Sequence, residues 1–173
     1  MKFISLFGIL LLCSMQCFCH AKRGNGAWVK VSGHITQTSD YCGGARPSDE
    51  LLENLKKPSP LENKIIFIKI GTANNSSIKY FQKVITDSNG DFVVTLKAGM
   101  TYCFIEEWKQ KKLLIPEDTK YLTWDAKCLE ARYHTADFVL KVKRIKNPII
   151  TINYHNPCFY SPYCGTYTGP LPP

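Results

Sequence analysis

The chain has 173 residues, with 22 Lys and Arg against 14 Asp and Glu, a formal net charge of +8 and 45% hydrophobic residues. After the first dozen residues no segment is apolar and long enough to cross a bilayer as a helix, which excludes a polytopic helical membrane protein. About 150 residues follow that apolar start, enough for one domain that buries about two-thirds of its unfolded surface.

The run from Met1 and Lys2 to Leu12 is a short basic start followed by an apolar stretch of secretory length. Cleavage is expected after Ala21, giving a signal segment over residues 1–21. Lipidation at Cys13, Cys17 or Cys19 is the alternative and would leave the mature protein anchored to a membrane. Either way the protein is secreted or periplasmic, with the body of the domain over residues 22–155.

Trp28 to Thr36 alternates cleanly, with Val29, Val31 and Ile35 on one face, and predicts the first strand. Cys42-Gly43-Gly44-Ala45-Arg46-Pro47 is a turn-rich loop. Ser48 then caps a short helix over residues 49–57, with acids first, lysines last, and Pro58 and Pro60 as the stop. Lys64 to Ile70 is apolar on both faces, as a central strand requires. The stretch Thr86-Asp87-Ser88-Asn89-Gly90-Asp91-Phe92, followed by Gly99-Met100-Thr101-Tyr102, reads as strand, turn, strand, turn, strand, with Asn89-Gly90 as a hairpin turn. A second insertion over residues 116–134 holds a short helix through Trp124 to Ala131. Phe138, Leu140 and Val142, then residues 149–155, complete seven strands. Residues 156–173 form a tail rich in proline, aromatic residues and cysteine. Seven strands separated by turn signals predict an all-β, seven-stranded antiparallel sandwich with two short helical insertions.

Val31-Ser32-Gly33-His34-Ile35, Ile65-Ile66-Phe67-Ile68, the 86–92 turn and Gly99-Met100-Thr101-Tyr102 together resemble the carboxypeptidase regulatory-like family over roughly residues 28–108. The resemblance implies a prealbumin-like (transthyretin-like) Greek-key sandwich. It also implies a non-enzymatic accessory, adhesion or docking module of bacterial secreted and cell-surface proteins. The helical insertion after the first strand and the cysteine-rich tail depart from that pattern.

Chemistry-bearing constellations are few. Asp87 to Asp91 has oxygen side chains at alternate positions, but the glycine comes two places early for a calcium loop and Ala98 stands where a bidentate acid is needed. Glu106 and Glu107 are adjacent and point to opposite faces of a strand, so they do not form an acid–base pair. One of them is expected half-buried beside Trp108 with a raised pKa, and Lys109 is a natural partner for the other. His34 is expected to face solvent. His155, Cys158 and Cys164 offer a three-ligand metal or thiol site as an alternative, without the paired knuckles of a structural zinc site. No metal, cofactor or catalytic residue is assigned. The transthyretin-related hydroxyisourate hydrolase shares the fold class implied by the resemblance, but its Tyr-Arg-Gly-Ser terminus is missing.

Five cysteines follow the secretory segment: Cys42, Cys103, Cys128, Cys158 and Cys164. In an oxidising compartment disulfides are their default fate. One arrangement pairs Cys158 with Cys164 and Cys103 with Cys128, leaving Cys42 over; a swap of Cys42 with a tail cysteine is also open. The function expected is a non-enzymatic module binding a protein or polysaccharide at the cell envelope, with no nucleic-acid partner. Its surface is expected at Tyr160, Tyr163 and Tyr167 with Lys143, Arg144 and Lys146, where no acid follows Asp137 to offset the bases. Packing of the tail across an open sheet edge is the competing account.

Overall fold

A computed structural model describes residues 27–144 and 148–170. The expected signal segment, any lipidated cysteine and Lys146 lie outside the described residues. The strands are β1 (Trp28–Ser39), β2 (Ser59–Pro60), β3 (Ile65–Ile70), β4 (Gln82–Ile85) and β5 (Asp91–Lys97), then β6 (Thr101–Glu106), β7 (Leu122–Trp124), β8 (Phe138–Lys141), β9 (Ile149–Asn156) and β10 (Gly165–Tyr167). Helix α1 (Asp49–Lys56) follows β1, helix α2 (Ala126–His134) follows β7, and a 3-10 turn over Glu107–Gln110 follows β6. The seven expected strands are β1, β3, β4, β5, β6, β8 and β9.

Two sheets make the sandwich. In the first, β1 is central, flanked by β5 and the short β2 on one side and β9 on the other; the second has the order β4-β3-β6-β8. Alternation fills the space between them: Val31, Ile35, Val94 and Leu96 from one sheet meet Ile66, Ile68 and Phe104 from the other, all at most 2% exposed. One pairing departs from the antiparallel expectation: β9 runs parallel to β1, with Ser32 opposite Ile149 and Ser39 opposite Asn156. The cause is where β8 ends. Lys141 pairs with Thr101, and Val142 exchanges backbone bonds with Gly99 and Met100, at the end of the sandwich where β1 begins. The chain therefore enters β9 from that same end.

The turn at Asp87 is also different from a hairpin. Strand β4 pairs with β3 in the second sheet and β5 with β1 in the first, so residues 86–91 arch between sheets. Asp87 Oδ1 accepts from Asn89 N and Asp91 N at 2.9 Å, and Gly90 takes φ +75°. A side chain at Gly90 would meet the Ile35 carbonyl, which accounts for glycine there. At Gly33 a Cβ would lie 2.0 Å from the Phe92 ring, so the small residue in β1 lets that ring cross it.

The outer face of the second sheet is covered too. Phe67 and Lys69 of β3, with Cys103 and Ile105 of β6, point away from the core yet are buried. Helix α2, the 3-10 turn and the loop after β3 lie over them. This layer carries the candidate site.

Candidate functional site

One buried side chain ties the covering layer together. Asn74, 1% exposed, accepts from Lys69 Nζ at 2.9 Å and donates through Nδ2 to the carbonyls of Lys109 (2.8 Å) and Tyr133 (3.0 Å). Its backbone N–H donates to the His134 carbonyl. The loop after β3, the 3-10 turn and the end of α2 are thereby held in register. Burial pushes the Lys69 amine below its ordinary pKa, an effect the neighbouring Cys103 thiol opposes. Burial raises the Cys103 thiol in turn.

Two disulfides fasten the tail, Cys128–Cys164 to helix α2 of this layer and Cys42–Cys158 to the loop after β1. The pairing of Cys158 with Cys164 and of Cys103 with Cys128 is therefore corrected, and Cys103 is the free cysteine among the described residues. The reason is strand parity. Cys103 points under the covering loop and donates to the Ala73 carbonyl, while Cys128 sits on the exposed side of α2 facing the tail. Both tail thiols are consumed, so His155, Cys158 and Cys164 form no metal site; among the described residues no cluster of three His, Cys, Asp or Glu has ligating geometry. Strand β10 then pairs with β7, opposing Gly165 to Trp124.

Between the tail, α2 and the 3-10 turn lies a cleft of about 480 Å³. Its walls include Trp108, Trp124, Leu129, Pro157, Pro162 and Tyr163; Leu113, Leu114 and Pro116 close one side, and Lys111, Lys112 and Arg132 supply its charge. No acidic side chain lines it. The Arg132 guanidinium lies 3.7 Å from the Tyr163 ring centroid and 5.6 Å from that of Trp108. Tyr163 is held for this contact by its hydroxyl, which donates to the His155 carbonyl at 3.0 Å.

A second, polar cleft of about 470 Å³ adjoins the first and shares Arg132, Pro157 and Tyr163 with it. Glu106 accepts from Lys64 Nζ and, at 2.9 Å, from Trp108 Nε1. Burial pushes the Glu106 carboxyl up, but these two hydrogen bonds, with the charges of Lys64 and Arg132, outweigh it and hold the group below its ordinary pKa. Asp137 accepts from Lys109 Nζ at 2.5 Å and from Glu106 N at 2.7 Å. For Asp137 burial prevails, and its pKa is raised. The Tyr154 hydroxyl is buried without a hydrogen-bond partner among the described residues, and desolvation raises that phenol as well. The sequence expectation for the glutamates is thus corrected: the half-buried Glu106 has a lowered pKa, Lys109 pairs with Asp137, and Glu107 pairs with Lys111. His34 is partly exposed and pairs with Asp91 at 2.7 Å.

The other residues singled out from the sequence lie elsewhere. Tyr160 donates to the Tyr41 carbonyl at 2.8 Å, and Tyr167 packs edge-on against Tyr121 and Phe159. Lys143 and Arg144 are exposed beside Lys97 and Lys141, around a shallow hollow that shares no residue with the two clefts. The sequence reading missed Arg132, Trp108 and Trp124 as site residues. A visible signal was present in Leu113-Leu114-Ile115, an apolar run between Lys112 and Pro116 with Leu114 78% exposed.

No family model matches the chain, and no curated protein matches it. Solved structures of shaft pilin SpaA from Lactobacillus rhamnosus GG are similar at low identity. One, a glutamate-to-alanine mutant, is 12% identical over 83% of this chain and 52% of its own, with a TM-score of 0.40. Another is 13% identical over 75% of this chain and 52% of its own, at 0.41. The N-terminal domain alone is 16% identical over 72% of this chain and 94% of its own, at 0.36. The chain spans about half the length of the first two.

Proposed function

We propose that this protein is a secreted or periplasmic, non-enzymatic β-sandwich module that binds a partner at the cell envelope through the cleft between α2, the 3-10 turn and the bridged tail. One observation carries the reading: two indoles, a phenol and three prolines line a concave surface fixed in place by two disulfides. Rigid aromatic walls offer a large contact area at small entropic cost, the ordinary make-up of a binding hot spot. The disulfides fit an oxidising compartment. Among the described residues no helix is long and apolar enough to cross a membrane.

In this reading Tyr163 is the binding residue among the tail aromatics, while Tyr160 and Tyr167 brace the tail. Lys143, Arg144 and Lys146 provide a secondary basic contact for an acidic surface. The test is a photo-crosslinking amino acid placed at Leu114 on the cleft rim or at Val93, exposed on the outer face of β5, in cells that make the protein. A discrete adduct from Leu114 and none from Val93 is expected. Adducts from Val93 alone would move the binding surface to the sheet.

A further inference from the structure

Given the binding role proposed for this cleft, its walls select the chemistry it accepts. The walls are apolar over most of their length. A sugar there would leave hydroxyls without partners, each a buried polar group stripped of water. An apolar side chain loses nothing. The charge is also one-sided, because Arg132, Lys111 and Lys112 face the cleft and no carboxylate does.

Of these three cations Lys111 is engaged by Glu107 at 3.2 Å. Arg132 is different. Among the described residues no carboxylate pairs with its guanidinium and its side chain makes no hydrogen bond. Yet the group is held in place by two aromatic rings at the junction of the apolar and polar clefts. A guanidinium held over aromatic faces spends none of its N–H donors on hydrogen bonds, and those donors keep the planar fork geometry that matches a carboxylate. Glu106 of the polar cleft feels the Arg132 charge, but its carboxylate takes its hydrogen bonds from Lys64 and Trp108.

We infer that the cleft captures the carboxyl terminus of a partner protein, with the terminal carboxylate on Arg132 and an apolar final side chain against Trp108, Trp124 and Leu129. A cleft of about 480 Å³ has the size of a small-ligand site and suits a chain end better than a long extended segment. Lys112, exposed and without an acidic partner among the described residues, adds long-range attraction at the rim.

The test uses the full secreted chain and three probes: N-acetyl-alanyl-leucyl-leucine as the free acid, its C-terminal amide, and galacturonic acid. The readout is the NMR signals of the indole N–H groups, with Trp28, on β1 and 61% exposed, as the internal control. The free acid is expected to shift Trp108 and Trp124 but not Trp28, and to bind at least about tenfold more tightly than the amide, the worth of one charge-assisted bond pair. Arg132→Gln is expected to abolish that difference. Equal binding of acid and amide would overturn the carboxylate inference and leave the binding cleft standing. Preference for galacturonic acid would overturn the peptide class alone. Silence of Trp108 and Trp124 with all three probes would overturn both the inference and the cleft.

Discussion

The guanidinium of Arg132 and the ring of Tyr163, 3.7 Å apart, join helix α2 to the C-terminal tail and stand at the meeting point of two clefts. The contact is half in water, so its energy is modest. Tyr163→Ala is expected to lower stability by about 1 kcal/mol, combining the cation–π contact and the hydroxyl bond to His155. The midpoint of urea unfolding checks it. An unchanged midpoint would mean the tail is held by its disulfides alone.

Those disulfides close chain separations of 116 and 36 residues. Loop-closure entropy then assigns about 5 kcal/mol to Cys42–Cys158 and about 4 kcal/mol to Cys128–Cys164. Paired serine substitutions are expected to destabilise in that order. Thiol labelling of the protein cleaved after Ala21 should find no reactive cysteine when folded and one, Cys103, after unfolding, because a thiol in the covered layer is neutral and inaccessible.

Asn74→Ala removes one acceptor from the buried Lys69 amine and the side-chain donor of two buried carbonyls, at Lys109 and Tyr133. The backbone bonds of residue 74 survive. A cost of at least about 2 kcal/mol follows from the unmet groups. Faster amide exchange in α2 and the 3-10 turn should accompany it, with the sandwich core unaffected.

Glu106 gives the pH dependence. Its folded pKa lies below the ordinary 4.5, so its stabilising effect is complete above that value and is lost as pH falls through the folded pKa. Glu106→Gln is expected to cost ~1–3 kcal/mol at pH 7, where Lys64 and the Trp108 indole lose their charged acceptor. The gap between variant and wild type should shrink below about pH 4.5. A constant gap down to pH 2 would show that the charge of Glu106 contributes nothing.

Much of the fold was legible because period-two alternation is dictated locally: Val29, Val31 and Ile35 are buried in β1 as their spacing predicts. Ser48 caps α1 by accepting from Leu51 N, as expected, whereas α2 begins at Ala126 rather than Trp124, with Asp125 as its cap accepting from Cys128 N. What was hidden is long-range. The Asp87 turn has the residues of a hairpin whether it joins neighbours in one sheet or arches between two. Cysteine partners depend on which face of β6 carries Cys103, and two buried faces erase the alternation that would have revealed it. The cleft draws Trp108, Arg132 and Tyr163 from three segments, so no spacing in the sequence announces it.

Binding through the cleft is tested by the calorimetric affinity of wild type and Trp124→Ala for the partner crosslinked at Leu114. Trp124 lines the cleft on a short strand outside the core, so about a 30-fold loss of affinity with an unchanged urea midpoint is expected. Equal affinity of two equally stable proteins would contradict it.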